Sequence, residues 1–378
     1  MKIGIVLYPT YGGSGVVATE LGKAMAEQGH CAHFISYKQP FRLNLLEKNI
    51  AYHEVLITDY PLFEYQPYEL LLSSKLVEVV LREKLDILHV HYAIPHATAA
   101  FLAQQILKTK GIHIPFVTTL HGTDITLLGK DSSFEPAITF AINQSNAVTA
   151  VSESLKSDTL MYFDVQREIE VIPNFVCPDL YGRNGIPKNI KEEIAPNNEP
   201  ILIHVSNFRK VKRVDDVIKV FAEISKKMNA KLLLVGEGPE RHNVEDLARS
   251  MGLMDNIRFM GKIKETEGLL LISDLFLLTS EFESFGLAAL EAMAAGLPVV
   301  STNGGGLPEV NLHGETGFLC NVGDVEDMAQ KCLEILSDKT LYDNMKKGVA
   351  KRAEHFSINK IQPMYTQLYN RLIHEHIS

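Results

Sequence analysis

Short apolar runs alternate with longer amphipathic segments along the first half of the chain. The apolar runs predict strands at 3–7, 32–36, 87–91, 116–120, 147–151 and 169–172. The segments between them predict helices at 15–28, 69–82, 96–108 and 134–144. Such alternation indicates a parallel sheet with helices on both faces, whose ligands bind at the carboxyl ends of the strands.

A second strand–helix series follows residues 182–200, which are polar and rich in Gly, Asn and Pro and are interpreted as a linker or exposed loop. Apolar runs predict strands at 201–206, 231–235 and 275–279. The C-terminal tail predicts helices at 325–336, 341–354 and 359–376. The pattern therefore predicts two α/β domains, for which 378 residues are enough.

Composition narrows the function classes. The net charge of −9 argues against a general nucleic-acid binder. The four cysteines form no C-x-x-C pair, which disfavours a zinc site or a disulfide framework and fits a reduced, cytoplasmic setting. The chain enters a strand at once, without a signal-peptide pattern, and its most apolar run, 269–278, is too short to span a bilayer. We therefore expect no stable membrane insertion.

Two glutamates eight residues apart flank the turn between the predicted strand 275–279 and an Ala-rich helix. Glu283 lies in the loop and Glu291 in the helix. A phosphate can bind at the backbone amides where this helix begins, Phe285, Gly286 and Leu287. The alternative is a surface helix with two unrelated glutamates. The strand, loop and helix around the pair favour a site for a sugar nucleotide.

The glycine-rich turn 8–15 follows the first predicted strand. Glycines here let the backbone approach an anion. The turn is not G-x-G-x-x-G, and no acidic residue ends the second strand, which argues against a dinucleotide site. A tight structural turn is the alternative.

Histidines follow or end two further strands. His89 and His91 share a face, but no third ligand has suitable spacing, so we expect no metal. Tyr92 is a better candidate for substrate contact. His121 can donate a hydrogen bond to a substrate oxygen or shuttle a proton, with Asp124 to orient it. A structural turn histidine is the alternative.

The densest basic cluster, 207–213, follows the strand that begins at 201. Arg209 and Lys212 in this cluster suit a phosphate clamp, and a solvated run of charges is the alternative. The chain contains no Asp-x-Asp, the usual carboxylate pair for a divalent metal.

The segment 283–291 resembles the E-x7-E element of the retaining glycosyltransferases of family 4. The strings His-Gly at 121–122, Gly-Glu-Gly-Pro at 236–239 and Gly-Gly-Leu-Pro-Glu at 305–309 extend the resemblance over nearly the whole chain. It implies the GT-B architecture: two doubly wound Rossmann-like domains facing a cleft. Residues 1–173 would bind the acceptor, with a C-terminal helix at about 358–378 returning to them, and residues 174–357 would bind the donor.

The resemblance also implies site roles. The implied catalytic residues are His121, Glu283, Arg209 and Lys212. The implied donor-binding residues are Gly13, Ser206, Arg209, Lys212, Glu237, Ile263, Phe285, Gly286, Leu287 and Glu291. The implied acceptor-binding residues are Ser14, Tyr92, Thr119 and Thr123. Asn207 stands where the family has an arginine, so Arg209 is the substitute.

Three segments, 8–22, 89–96 and 206–213, together resemble a subfamily that makes the first intermediate of bacillithiol. This implies transfer of N-acetylglucosamine from UDP-N-acetylglucosamine to L-malate, with retention and without a metal or other cofactor. The residues alone do not specify malate, because a sugar hydroxyl would also suit them. A lipid or polysaccharide acceptor, a sugar-nucleotide epimerase and a non-catalytic binding protein are the alternatives. Helical surfaces able to form a homodimer are present.

Overall fold

A computed structural model describes residues 1–10, 12–57, 66–127, 131–182 and 190–377. It divides into a first unit, Met1–Asn174 with Ile358–Ser378, and a second unit, Phe175–Ser357. All four cysteines are free thiols. Among the described helices, none combines the length and the apolar character needed to cross a membrane.

The first unit is built on a seven-stranded parallel sheet. Its strands are β1 Lys2–Val6, β2 Cys31–Ser36, β3 Ile50–Glu54, β4 Ile87–His91, β5 Phe116–Leu120, β6 Ala147–Ala150 and β7 Ile169–Val171. They lie in the order β3-β2-β1-β4-β5-β6-β7. The connecting helices are α1 Gly13–Glu27, α2 Tyr68–Glu83, α3 Thr98–Lys108, α4 Glu135–Gln144 and α5 Glu153–Tyr162.

The second unit contains a six-stranded parallel sheet. Its strands are β8 Ile201–Val205, β9 Lys231–Val235, β10 Ile257–Gly261, β11 Leu275–Leu278, β12 Val299–Thr302 and β13 Gly317–Cys320, in the order β10-β9-β8-β11-β12-β13. Its helices are α6 Ile190–Ile194, α7 Val214–Ser225, α8 Arg241–Ser250, α9 Glu267–Ile272, α10 Leu287–Ala294, α11 Leu307–Val310, α12 Val325–Ser337 and α13 Lys339–His355. The predicted fold class, two doubly wound parallel sheets, is confirmed.

The last helix, α14 Ile358–Ile377, belongs to the first unit, as predicted. Tyr365 and Tyr369 are its largest fully buried side chains. Gln362 donates a hydrogen bond from Nε2 to Sδ of Met25 on α1, at 3.2 Å. The helix therefore supplies core residues to a sheet made by the first half of the chain.

Two of the differences from the predictions concern β3 and the segment 182–200. β3 was not predicted, yet it pairs with β2 from Ala32–Ile50 to Ser36–Glu54. The proposed linker 182–200 contains helix α6, while residues 183–189 lie outside the described part of the chain. Lys191 on α6 forms an ion pair with Asp274, Nζ to Oδ1 at 3.0 Å. This contact ties the segment to the second unit, so the segment is not a free linker throughout.

Candidate active site

Two predicted acceptor residues meet at the strand ends of the first unit. Tyr92 follows β4, and Ser14 is the second residue of α1. The Tyr92 hydroxyl donates to the Ser14 hydroxyl at 2.6 Å. Tyr92 has a φ of 85°, a conformation that costs a non-glycine residue about 1–3 kcal/mol. Its backbone N–H is held by the carbonyl of Thr119 at 2.9 Å.

His121 is paired with another histidine. Its Nε2 lies 2.8 Å from Nδ1 of His91, and the two rings stack with centroids 5.1 Å apart. Burial, assisted by the nearby His96, lowers the pKa of His121 to about 3. The imidazole is therefore neutral at pH 7. It can direct a hydrogen bond at a substrate oxygen, but it does not supply a positive charge.

The structure places Thr119 differently from the expectation. Its side chain is fully buried, and its hydroxyl lies 2.7 Å from His89 Nε2 and 2.7 Å from the Thr149 hydroxyl. The Thr119 side chain therefore links β5 to the neighbouring strands β4 and β6 and is not exposed to a ligand. Thr123, the other predicted acceptor threonine, is exposed.

Both ring nitrogens of His89 have protein partners, because its Nδ1 also lies 2.6 Å from the hydroxyl of Tyr369. Within the described residues, no group of three or more His, Cys, Asp or Glu side chains is arranged to hold a metal. Tyr369 was missed by sequence reasoning, since it is 280 residues away from His89 in the chain.

Asp124 orients the turns that carry these groups. The carboxylate is fully buried and accepts hydrogen bonds from the backbone N–H groups of Ala93, at 2.9 Å, and Gly122, at 3.1 Å. Burial raises its pKa, and these hydrogen bonds oppose the rise. Asp124 thus joins the turn after β4 to the turn after β5.

An aromatic group that the sequence did not single out lies beside this cluster. Tyr8 packs against His96, with ring centroids 4.5 Å apart, and against Tyr92 at 5.5 Å. Burial raises the pKa of Tyr8 to about 12, so its phenol stays protonated at neutral pH. Tyr8 lies two residues after the end of β1, and this position at a strand end could have marked it as a candidate.

In the second unit, the basic cluster meets the E-x7-E element. Lys212 donates from Nζ to Oε1 of Glu283 at 2.7 Å, across 71 residues of sequence. The Ser280 hydroxyl donates to the same oxygen at 2.7 Å. The two charged side chains are 18% and 17% exposed, so a ligand can still reach them. Arg209, in the same cluster, is exposed.

The helix that carries Glu291 begins where the sequence predicted. Gly286 precedes α10 with a φ of 97°, and a Cβ there would lie 2.7 Å from Leu307 Cδ2. Only glycine meets both conditions without strain. Phe285 is buried, with its ring edge-on to Phe356 at 5.4 Å. Its side chain therefore anchors the turn that precedes α10.

The glycine run at 304–306 supports the Glu283 loop from the other side. A Cβ at any of the three positions would lie 2.2–2.5 Å from a backbone oxygen of residues 281–284. The N–H of Gly306 also donates to the carbonyl of Glu283 at 2.7 Å. This close approach fixes the position of the Glu283 backbone.

Three of the remaining predicted donor residues, Ser206, Glu237 and Ile263, follow β8, β9 and β10. Ser206 follows β8, and its N–H donates to the Val235 carbonyl at 3.1 Å. The carbonyl of Glu237 accepts from the N–H of Phe208 at 3.0 Å. Ile263 follows β10 and is half-buried. Gly13, in the first unit, is exposed where α1 begins.

Comparison with known proteins identifies the family. Residues 11–180 match the model of Glycosyltransferase Family 4, and residues 185–352 match that of Glycosyl transferases group 1. The chain is 49% identical to N-acetyl-alpha-D-glucosaminyl L-malate synthase of Bacillus anthracis, over 98% of this chain and 96% of that protein.

Two solved structures share the fold. A glycosyltransferase from Rickettsia africae ESF-5 has a TM-score of 0.80 at 23% identity, covering 98% of both chains. Anabaena Alr3699/HepE in complex with UDP and glucose has a TM-score of 0.82 at 20% identity, covering 98% of this chain and 99% of that one. Since the two family models and a relative matched along almost its full length agree, this chain belongs to glycosyltransferase family 4.

Proposed function

We propose that the protein transfers N-acetylglucosamine from UDP-N-acetylglucosamine to the hydroxyl of L-malate, with retention of configuration, as the first step of bacillithiol biosynthesis. The observation that carries this proposal is the 49% identity to the B. anthracis synthase along almost the whole of both chains. The donor binds to the second unit and the acceptor to the first.

The Lys212–Glu283 pair provides the chemistry on the donor side. Lys212, with Arg209 and the amides of 285–287, stabilises the negative charge on the departing diphosphate. Preorganised charge of this kind commonly contributes more to catalysis than any other single effect. Glu283 accepts hydrogen bonds from hydroxyls of the transferred sugar, and Glu291 binds the ribose. Gly13 approaches the diphosphate, while Glu237 and Ile263 contact the nucleoside.

The reaction exchanges one bond at the anomeric carbon for another. The bond to the β-phosphate oxygen breaks, and both electrons leave with UDP. The malate hydroxyl forms the new bond from the same face, and its proton passes to the departing phosphate. His121, neutral at pH 7, directs a hydrogen bond at the transferred sugar. No divalent metal takes part, because the cationic side chains and backbone amides neutralise the diphosphate.

On the acceptor side, the joined hydroxyls of Ser14 and Tyr92 and the exposed Thr123 are the contacts for malate. Thr119 does not contact malate; it supports these residues through its hydrogen bonds with His89 and Thr149. We also propose a cytoplasmic homodimer. Sedimentation equilibrium tests the dimer, and cell fractionation tests the location.

The decisive experiment measures UDP release from UDP-N-acetylglucosamine with and without L-malate, each in the presence and absence of a chelator. We expect malate-dependent release that the chelator does not affect. Lys212→Ala and Glu283→Ala should lower kcat by about 100- to 1000-fold. The neighbouring exposed residues provide matched controls, since Lys210→Ala and Glu281→Ala should retain activity. Release with another acceptor but not malate would overturn the acceptor assignment.

A further inference from the structure

His204 is a fully buried histidine on β8, next to the predicted donor residue Ser206. Its Nδ1 lies 2.8 Å from the carbonyl oxygen of Leu277 on β11, and its Nε2 lies 2.7 Å from the Ser206 hydroxyl oxygen. β8 is the switch point of the sheet, where the strand order reverses: β9 lies on one side of it and β11 on the other. Ligands of doubly wound sheets bind outside this switch point.

The two contacts determine which atom carries each proton. A carbonyl oxygen only accepts, so Nδ1 of His204 must carry a hydrogen. Burial lowers the pKa of His204 to about 4, so the ring holds one proton at neutral pH. Nε2 is then a lone pair, and the Ser206 hydroxyl must donate its hydrogen to it.

A serine hydroxyl has one hydrogen to donate. With that hydrogen directed at His204, Ser206 presents only oxygen lone pairs to a ligand. The backbone N–H of Ser206 is also engaged, by the Val235 carbonyl. Phosphate oxygens are acceptors as well, so the Ser206 hydroxyl does not suit the diphosphate. It suits a group that donates a hydrogen bond.

The charged neighbours indicate which part of the sugar nucleotide this group belongs to. Leu277, the partner of His204, lies on β11. Ser280 follows that strand and donates at 2.7 Å to Oε1 of Glu283, the oxygen that Lys212 also contacts at 2.7 Å, so Lys212 and Glu283 lie at the end of the strand next to that of His204. These two residues are assigned above to the diphosphate and to the hydroxyls of the transferred sugar, whereas Glu291 is assigned to the ribose. The hydrogen-bond donors expected beside Ser206 therefore belong to the transferred sugar.

We propose that the Ser206 hydroxyl accepts a hydrogen bond from a hydroxyl or amide N–H of the transferred sugar, and that His204 is the positioning residue that fixes this polarity. The inference rests on the proposed function. It changes the role of Ser206 from a general donor-site contact to a residue that distinguishes a UDP-sugar from UDP.

Calorimetric titration of each variant with UDP and with UDP-N-acetylglucosamine tests the inference. Ser206→Ala should weaken the binding of the UDP-sugar by about three- to tenfold, the value of one neutral hydrogen bond, and leave UDP within about twofold of wild type. His204→Asn keeps a donor for the Leu277 carbonyl but frees the Ser206 hydrogen. It should reduce the preference for UDP-sugar over UDP by a similar factor, with UDP bound as well or better.

If His204 had only a structural role, its substitution would weaken the binding of UDP and of the UDP-sugar equally. Equal weakening of the two ligands in either variant would overturn the inference. Thermal unfolding of each variant shows whether the fold is intact, and Ser206→Ala supplies the test if His204→Asn does not fold. Wild-type protein that binds neither ligand would refute the proposed function itself. Wild-type binding with unchanged preference in Ser206→Ala would refute this inference alone.

Discussion

Lowering the pH from 7 to 5 should destabilise the first unit far more than the second. Seven buried or half-buried histidines of the first unit have lowered pKa values, chiefly because burial disfavours their charged form: His30, His33, His53, His89, His91, His96 and His121. In the described part of the second unit, His204 is the buried histidine with a lowered pKa.

The sign follows from where the protons bind. Each of these rings binds a proton more weakly in the folded state than in the unfolded state, whose pKa is near 6.5. The stability they contribute is therefore present above pH 6.5 and is lost as the pH falls toward the folded-state value. A histidine with a folded pKa of about 4 loses about 2 kcal/mol of its contribution by pH 5.

Four histidines of the first unit have pKa values of about 3 or about 4, and His204 has one of about 4. The free energy of unfolding therefore falls by about 8 kcal/mol in the first unit and by about 2 kcal/mol in the second by pH 5. A loss of about 8 kcal/mol is comparable to the whole stability of a typical domain.

Hydrogen exchange followed by mass spectrometry measures the backbone amide protection of both units in one sample. The exchange rates are corrected for their intrinsic pH dependence. Peptides covering β4 and β5 should lose protection between pH 6.5 and pH 5, while peptides covering β9 and β12 should retain most of theirs. His242, whose side chain is 83% exposed, provides the control, because His242→Gln should leave both profiles unchanged. Equal loss of protection in the two units would refute the reasoning.

Three further predictions concern single side chains of the fold. Asn311 is fully buried and donates to carbonyls of β12 and β13 at 3.2 and 3.1 Å, so Asn311→Ala should cost about 2–4 kcal/mol in urea unfolding; a loss below about 1 kcal/mol would contradict this. Gly286→Ala adds a Cβ at a φ of 97° and should cost about 1–3 kcal/mol and weaken UDP-sugar binding; unchanged thermal unfolding and binding would refute it. Ser152 caps α5 by accepting from Leu155 N–H at 3.0 Å, so Ser152→Ala should cost about 1 kcal/mol in urea unfolding, whereas Ser152→Asp should not.

The sequence predicted those elements whose local pattern is strong. The buried strands of the first sheet are short segments rich in apolar residues, and the Ser152 cap follows from a serine placed directly before a helix. β3 was missed because its sequence, Ile-Ala-Tyr-His-Glu, is half polar, and its pairing with β2 at the sheet edge depends on tertiary contacts. α6 was missed because five residues within a polar segment carry little periodicity.

The candidate site was predicted as separate pieces. Lys212 and Glu283 were each identified from local sequence, but their contact at 2.7 Å spans 71 residues and has no local signal. The direction of the Thr119 side chain was also not evident. That direction is determined by the hydrogen bonds of Thr119 with His89 and Thr149 on the neighbouring strands β4 and β6. Residue types at strand ends can thus be predicted, whereas their hydrogen-bond partners depend on the assembled sheet.

The placement of α14 has a consequence for folding during synthesis. Domains made as one continuous segment generally fold in the order in which they are made. Here the first sheet needs Tyr369 to cover His89, and that residue is made after the whole second unit. A nascent chain therefore exposes part of the apolar surface of its first unit while the second unit is translated. The unit begun first becomes complete last, so its protection by chaperones should matter most during that interval.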